Sequence, residues 1–200
     1  MEAILHGLIL AFGLILPLGV QNVFIFSQGA TQPKLIRALP ATVTAAVCDT
    51  FLILLAVFGL STIVLQFEWL RISLMITGIL FLLYMGSVIW RSKPSTSETN
   101  GALPSRQQII FALSVSLLNP HAILDTVGVI GTSALKYVGK EQLFFTIACI
   151  TVSWIWFVGL TIAGSVMKKV DSTGGLMNIF NKCSALFIWG TAIYLLIGLT

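Results

Sequence analysis

Six apolar runs, each long enough to cross a bilayer, set the limits on what this chain can become. A spanning helix needs about 20 predominantly apolar residues at about 1.5 Å rise each. Runs of that kind lie at residues 4–26, 40–65, 69–90, 109–131, 143–167 and 178–198. Charged residues make up only 9% of the sequence and hydrophobic ones 57%, whereas soluble domains carry about 25% charged residues. The sequence therefore predicts an all-α integral membrane protein, a single transmembrane domain over residues 1–200 that contacts the lipid bilayer. In lipid every backbone polar group must be satisfied within the protein, and helices do so segment by segment.

The first run follows Met1-Glu2 rather than a positively charged region. It contains Pro17, Gln21 and Asn22, unlike a cleaved secretory signal, so it is expected to be a retained span. Net charge is +4, but no basic run of the kind nucleic-acid binding uses is present, and no nucleic-acid partner is expected. Cys48, Cys149 and Cys183 are odd in number and fall in apolar segments. They read as small buried hydrophobes rather than disulfide or zinc ligands, and no cofactor or metal is expected.

Connections between runs are short except for residues 91–108 (RSKPSTSETNGALPSRQQ), a polar loop that divides the chain into two halves of three spans. Lys34, Arg37, Arg91, Lys93, Arg106, Lys168, Lys169 and Lys182 follow the odd-numbered spans, against Arg71, Lys136 and Lys140 on the other side. The positive-inside rule places the first set, with the 91–108 loop, in the cytoplasm and both termini outside. A shift of about 103 residues sets Pro17 on Pro120 and Asn22 on Asp125, so each half opens with a proline-interrupted span. Three spans per half make the halves enter the membrane from opposite sides. The expectation is two inverted repeats, at about 4–90 and 109–198, an arrangement shared by many secondary transporters.

Of seven acidic residues only Asp49 and Asp125 fall well inside spans, and no lysine or arginine does. An ionised side chain at a helix centre costs about 2.5–3.5 kcal/mol. Two cost about twice that, so protons, a bound cation or a wet cavity must compensate. Asp49 shares a helix face with Thr42, Ala45 and Ala46, small residues that allow close helix contact and so aim it into the bundle. Such faces also permit a homo-oligomer. Asp125 lies one turn beyond His121, which reads as an orienting hydrogen-bonder or a proton carrier. Asn119 and Pro120 have the residue types favoured at a helix start. A half-helix beginning there would point free N–H groups and a positive dipole end into the membrane. Residues 16–19 (LPLG) offer the same in the first half, with Gly19 allowing close approach and Gln21 and Asn22 adding polar contacts. Half-helix ends of this kind bind carboxylates.

Donors for an anion and aspartates for a cation suit a basic α-amino acid. A desolvated carboxylate for which proton and cation compete supplies the minimum for antiport. Asp49, Asp125 and His121 are the proton-coupling candidates. Asp49, Asp125, Asn22, Gln21, Asn119, Pro120, Pro17 and Gly19 are the substrate-binding candidates. Among the aromatics, Trp69 and Trp90 bracket the third span as interface belts, while Trp154, Trp156 and Trp189 fall mid-span, where packing is the simpler role.

LILPLGVQNVFIFSQG, CDTFLILLAVFG, FLLYMG and SLLNPHAILDT, spread over nearly the whole chain, resemble the LysE-type amino-acid exporter superfamily. The last segment is the most specific to its lysine/arginine exporter branch. One departure is Val20, where the family commonly has a second proline. The resemblance implies export of L-arginine or L-lysine across a bacterial inner membrane, driven by the proton gradient and membrane potential, with no enzymatic activity. Three alternatives compete. A neutral amino-acid exporter of the threonine/homoserine type would share the fold. A divalent metal exporter would favour clustered thiolates or imidazoles, and these are sparse. An intramembrane aspartyl protease would need GxGD, whereas Ala122, Ile123 and Leu124 precede Asp125.

Overall fold

The computed structural model describes residues 1–17, 19–60, 68–92, 102–119, 122–123, 125–171 and 174–197. Within them the regular structure is helical throughout. Helix α1 runs Glu2–Ile15 and α2 Val20–Thr31, and their axes are bent by 79° across a short break. Helix α3 (Leu39–Leu55) continues into a wider π-type turn, Ala56–Leu60, at whose end Gly59 takes φ 147°, a conformation that residues with a Cβ rarely adopt. Then come α4 (Glu68–Arg91), α5 (Ser105–Leu117), a π-type segment Asp125–Gly131, α6 (Lys140–Val170) and α7 (Gly175–Ile197). Three stretches, Leu39–Gly59, Lys140–Val170 and Gly175–Ile197, are long and apolar enough to cross a membrane, and the bent α1–α2 pair makes a fourth if taken as one span.

Several helices outrun the apolar windows of the sequence. Hydropathy registers the length that meets lipid, whereas helical hydrogen bonding continues into polar residues beyond it. Helix α6, with 31 residues, is about 46 Å long at 1.5 Å per residue, well above a hydrocarbon core of about 30 Å. The same reason moves one boundary of the expected 91–108 loop. Helix α5 starts at Ser105, so Gln108 is helical and buried, and its amide donates to the carbonyls of Arg37 and Leu103, both at 2.9 Å. Gln32 also donates to the Leu103 carbonyl, at 2.8 Å. At the other end of the bundle, His6 Nδ1 and the Tyr137 hydroxyl lie 2.9 Å apart. Desolvation, and then the Glu2 and Glu141 carboxylates, push that hydroxyl above the ordinary phenol range and keep its proton on.

Helix α6 is the spine. It packs along α1, α2 and α3, while α3 packs against α5, and the two π-type segments lie against each other. The face of α3 expected to point inward does so: Thr42, Ala45 and Ala46 are buried, and the hydroxyls of Thr42 and Thr161 pair at 2.7 Å. Helices α4 and α7 pack chiefly on one another and touch the rest through α2. One core cluster joins Val20, Val23, Phe24 and Ile25 of α2 to Phe157 of α6 and Ile188 of α7. A second gathers Ala3, Ala11, Phe145, Cys149 and Val152 along α1 and α6.

The α2–α6 crossing depends on missing side chains. A Cβ at Gly29 would meet the Thr161 carbonyl, and one at Gly164 would meet the Phe26 carbonyl. Backbones in direct contact leave no room to relax, and overpacking costs about 1–3 kcal/mol. We therefore expect Gly164→Val to lower the apparent Tm of the detergent-purified protein by several degrees. Gly159→Val, where a Cβ meets nothing within 4 Å, should stay close to wild type. Equal Tm values for the two variants would refute the close crossing.

Candidate functional site

At the bend between α1 and α2 the sequence removes helical donors and then replaces them. Helix α1 stops at Ile15, just ahead of Pro17, which has no N–H, and the Gly19 N–H turns back to the Pro17 carbonyl at 2.8 Å. Asn22, one turn into α2, folds its amide over the break and donates to the Ile15 carbonyl at 2.7 Å and the Pro17 carbonyl at 2.8 Å. Its Oδ1 accepts from the Trp156 indole N–H at 3.3 Å, and Phe12 packs at right angles to that indole. The Asn22 amide is thus used on both its donor and acceptor sides, and it carries the chain through a bend that would otherwise strand carbonyls.

A cavity of about 110 Å³ lies beside this bend. Of the substrate-binding residues expected from sequence, Pro17, Gly19, Gln21, Asn22, Asp49, Asn119 and Asp125 all line it. Pro120 and His121 lie outside the described residues. Asp49 is half-buried and held from two helices: Gln21 Nε2 donates to Oδ1 at 3.2 Å, and Ser153 Oγ donates to Oδ2 at 3.0 Å. Both donors are neutral, so they stabilise the carboxylate without cancelling its charge. Across the chain's midpoint, the Asn119 carbonyl accepts the Ile123 N–H at 3.1 Å, the first bond of a helical turn, as an N-cap residue does. Asp125 opens the Asp125–Gly131 segment at the cavity.

Ser153, Leu82, Phe187, Ile188 and Thr191 also line it and were not singled out by sequence reasoning. Ser153 carried the one signal available there, a hydroxyl in the apolar middle of the fifth run. The others resemble every lipid-facing residue around them. Trp154 and Trp189 donate to Thr50 and to the Leu83 carbonyl, contacts between helices in keeping with packing. Cys48, Cys149 and Cys183 are free thiols. No group of three or more His, Cys, Asp or Glu side chains placed to hold a metal ion occurs among the described residues.

Membrane-length helices around a carboxylate-bearing cavity suit a protein that works on a solute within the bilayer. The sequence comparisons place it: residues 12–199 match the LysE type translocator family, to which this chain belongs. It is 57% identical over 195 residues to YisU of Bacillus subtilis (strain 168), named as a candidate amino-acid transporter, covering 97% of this chain and 89% of that protein. It is 32% identical over 196 residues to the arginine exporter protein ArgO of Klebsiella pneumoniae (strain 342), covering 95% and 91%. The ArgO of Pectobacterium carotovorum subsp. carotovorum (strain PC1) is 30% identical over 199 residues, covering 96% and 95%. No solved structure matches the chain. The family and its relatives' names, all transporters or exporters, set aside the aspartyl-protease reading.

Leucine at position 22 would leave the Ile15 carbonyl without its side-chain donor and the Pro17 carbonyl with the Gly19 N–H alone, and a buried polar group left unpaired costs about 1–3 kcal/mol. Asn22→Leu should therefore lower the apparent Tm of the purified protein by more than Ser153→Ala does, because Asp49 keeps Gln21 when Ser153 is lost. The reverse order would remove Asn22 from its role at the bend.

Proposed function

We propose that this protein exports basic amino acids, L-arginine and/or L-lysine, across the bacterial cytoplasmic membrane by proton-coupled antiport. The observation that carries this reading is Asp49, a carboxylate in the cavity wall whose partners there are the neutral Gln21 and Ser153. A half-buried carboxylate held by neutral donors can accept a cationic side chain or a proton, and not both at full strength. Asp125, four residues after His121, is the second carboxylate in the cavity wall. The first turn of α2, opening at Gly19, and the turn that Asn119 opens supply the end that meets the cargo's carboxylate. Two relatives named as arginine exporters, matched over most of both chains, support the choice of cargo. The paired carboxylates favour a cationic cargo over a neutral one.

In this reading the chain crosses the membrane six times as two inverted three-span repeats, with both termini outside. The packing supports it. Exchanging the halves turns the contact of the first span (α1 and α2) with the fifth (α6) into a contact of the fourth (α5 and Asp125–Gly131) with the second (α3), and both are present. The third and sixth spans, α4 and α7, pair with each other, as the same exchange requires.

In proteoliposome counterflow the wild type should exchange labelled arginine and lysine well above threonine or cadmium. Asp49→Asn and Asp125→Asn should insert normally yet lose at least tenfold in rate. Wild-type rates from either variant would sink the carboxylate assignment. Topology has its own check: with Cys183 replaced by serine, Ser105→Cys should react with a membrane-impermeant maleimide in inside-out vesicles and not in intact cells. The opposite pattern would invert the orientation.

A further inference from the structure

The cavity's polar groups are unevenly supplied. Gln21, Asn22, Asp49, Asn119, Asp125 and Ser153 come from the first, second, fourth and fifth spans, which also supply apolar residues such as Leu14, Ile53 and Ile130, while α4 and α7 contribute Leu82, Phe187, Ile188 and Thr191. Three of those four are hydrocarbon or aromatic. The fourth is apolar in effect, because the Thr191 hydroxyl donates to the Phe187 carbonyl of its own helix at 3.0 Å and so is engaged by its own backbone. Leu82 and Ile188 are only 2% and 1% exposed, so neither is a lipid-facing residue that happens to touch the cavity. Moreover α4 and α7 pack mainly on each other, so the one side of the cavity to which no free polar group is contributed belongs to a single two-helix unit.

We propose that the α4–α7 pair forms a length gauge: Leu82, Phe187 and Ile188 receive the uncharged methylene stem that separates the two charged ends of the cargo. The inference rests on the basic-cargo reading above and adds to it which residues discriminate among basic amino acids. The polar residues fix the two charged ends and set the distance between them. A stem too short to reach both leaves apolar lining without a partner. Each methylene that does lie on the lining removes hydrocarbon from water, at about 0.8 kcal/mol per buried CH₂, or about fourfold in affinity. Charge selects the class of cargo and the lining selects its length.

The test is counterflow in proteoliposomes with 2,4-diaminobutyrate, ornithine and lysine, which differ by one methylene each and keep the same charges. In the wild type KM should fall by about fourfold for each added methylene. In Leu82→Ala the KM steps should shrink below twofold, because a truncated lining no longer distinguishes the stems. Leu82 is buried, so Phe187→Ala serves as a second variant: Phe187 is 47% exposed and its truncation is gentler on the fold. Steps of wild-type size in a folded Phe187→Ala protein, or no steps in the wild type, would overturn the length gauge while leaving basic-cargo export standing. Failure of all three diamino acids while arginine exchanges would overturn the length gauge alone, and failure of arginine as well would overturn both.

Discussion

A carboxylate in the low-dielectric interior of a membrane protein has to be answered by something, and around Asp49 the answer is two neutral hydrogen bonds. Gln21 reaches one oxygen from α2 and Ser153 the other from α6. A lysine or arginine there would satisfy the charge more fully and would also consume it, because a desolvated ion pair is expensive to break. Amide and hydroxyl donors hold the group in place and leave its charge to be answered again. The bend at Pro17, the close crossing of α2 and α6, and the small-residue face of α3 all bring these three side chains to one cavity.

The bend follows the same economy of donors. Proline removes a donor and the helix stops, but a stranded carbonyl inside a membrane protein is not tolerated. Asn22 resolves the conflict with one side chain that serves the Ile15 and Pro17 carbonyls and is itself oriented by Trp156. Gln32 and Gln108 serve the Leu103 carbonyl in the same way at the end of the bundle where the two halves meet. The polar side chains around the bend, the cavity and this bundle end are therefore of two kinds. Some satisfy backbone that the helices cannot, and a smaller set at the cavity faces space that a solute can fill.

Much of this was legible in the sequence, for physical reasons that also mark where legibility ends. A buried aspartate or a mid-span proline is costly in lipid, so each stands out against an apolar background, and Pro17, Gly19, Gln21, Asn22, Asp49, Asn119 and Asp125 all meet at one cavity. Helix ends were read too short, because hydropathy reports contact with lipid and not hydrogen bonding. The extension of α5 back to Ser105 and the burial of Gln108 were hidden for that reason. The apolar part of the cavity could not be read at all. Leu82 and Ile188 face a cavity while Leu80 and Leu83 are exposed on the outside of the same bundle. Nothing in a leucine's chemistry tells the two apart.

The glycine crossing has a mechanical meaning as well as an energetic one. Where Gly29 meets Thr161 and Gly164 meets Phe26, the two helices touch main chain to main chain, with no rotamers between them to absorb a shift. Gln21 sits on one of these helices and Ser153 on the other, so the seam that sets how closely α2 and α6 approach also sets the span across which Asp49 is held.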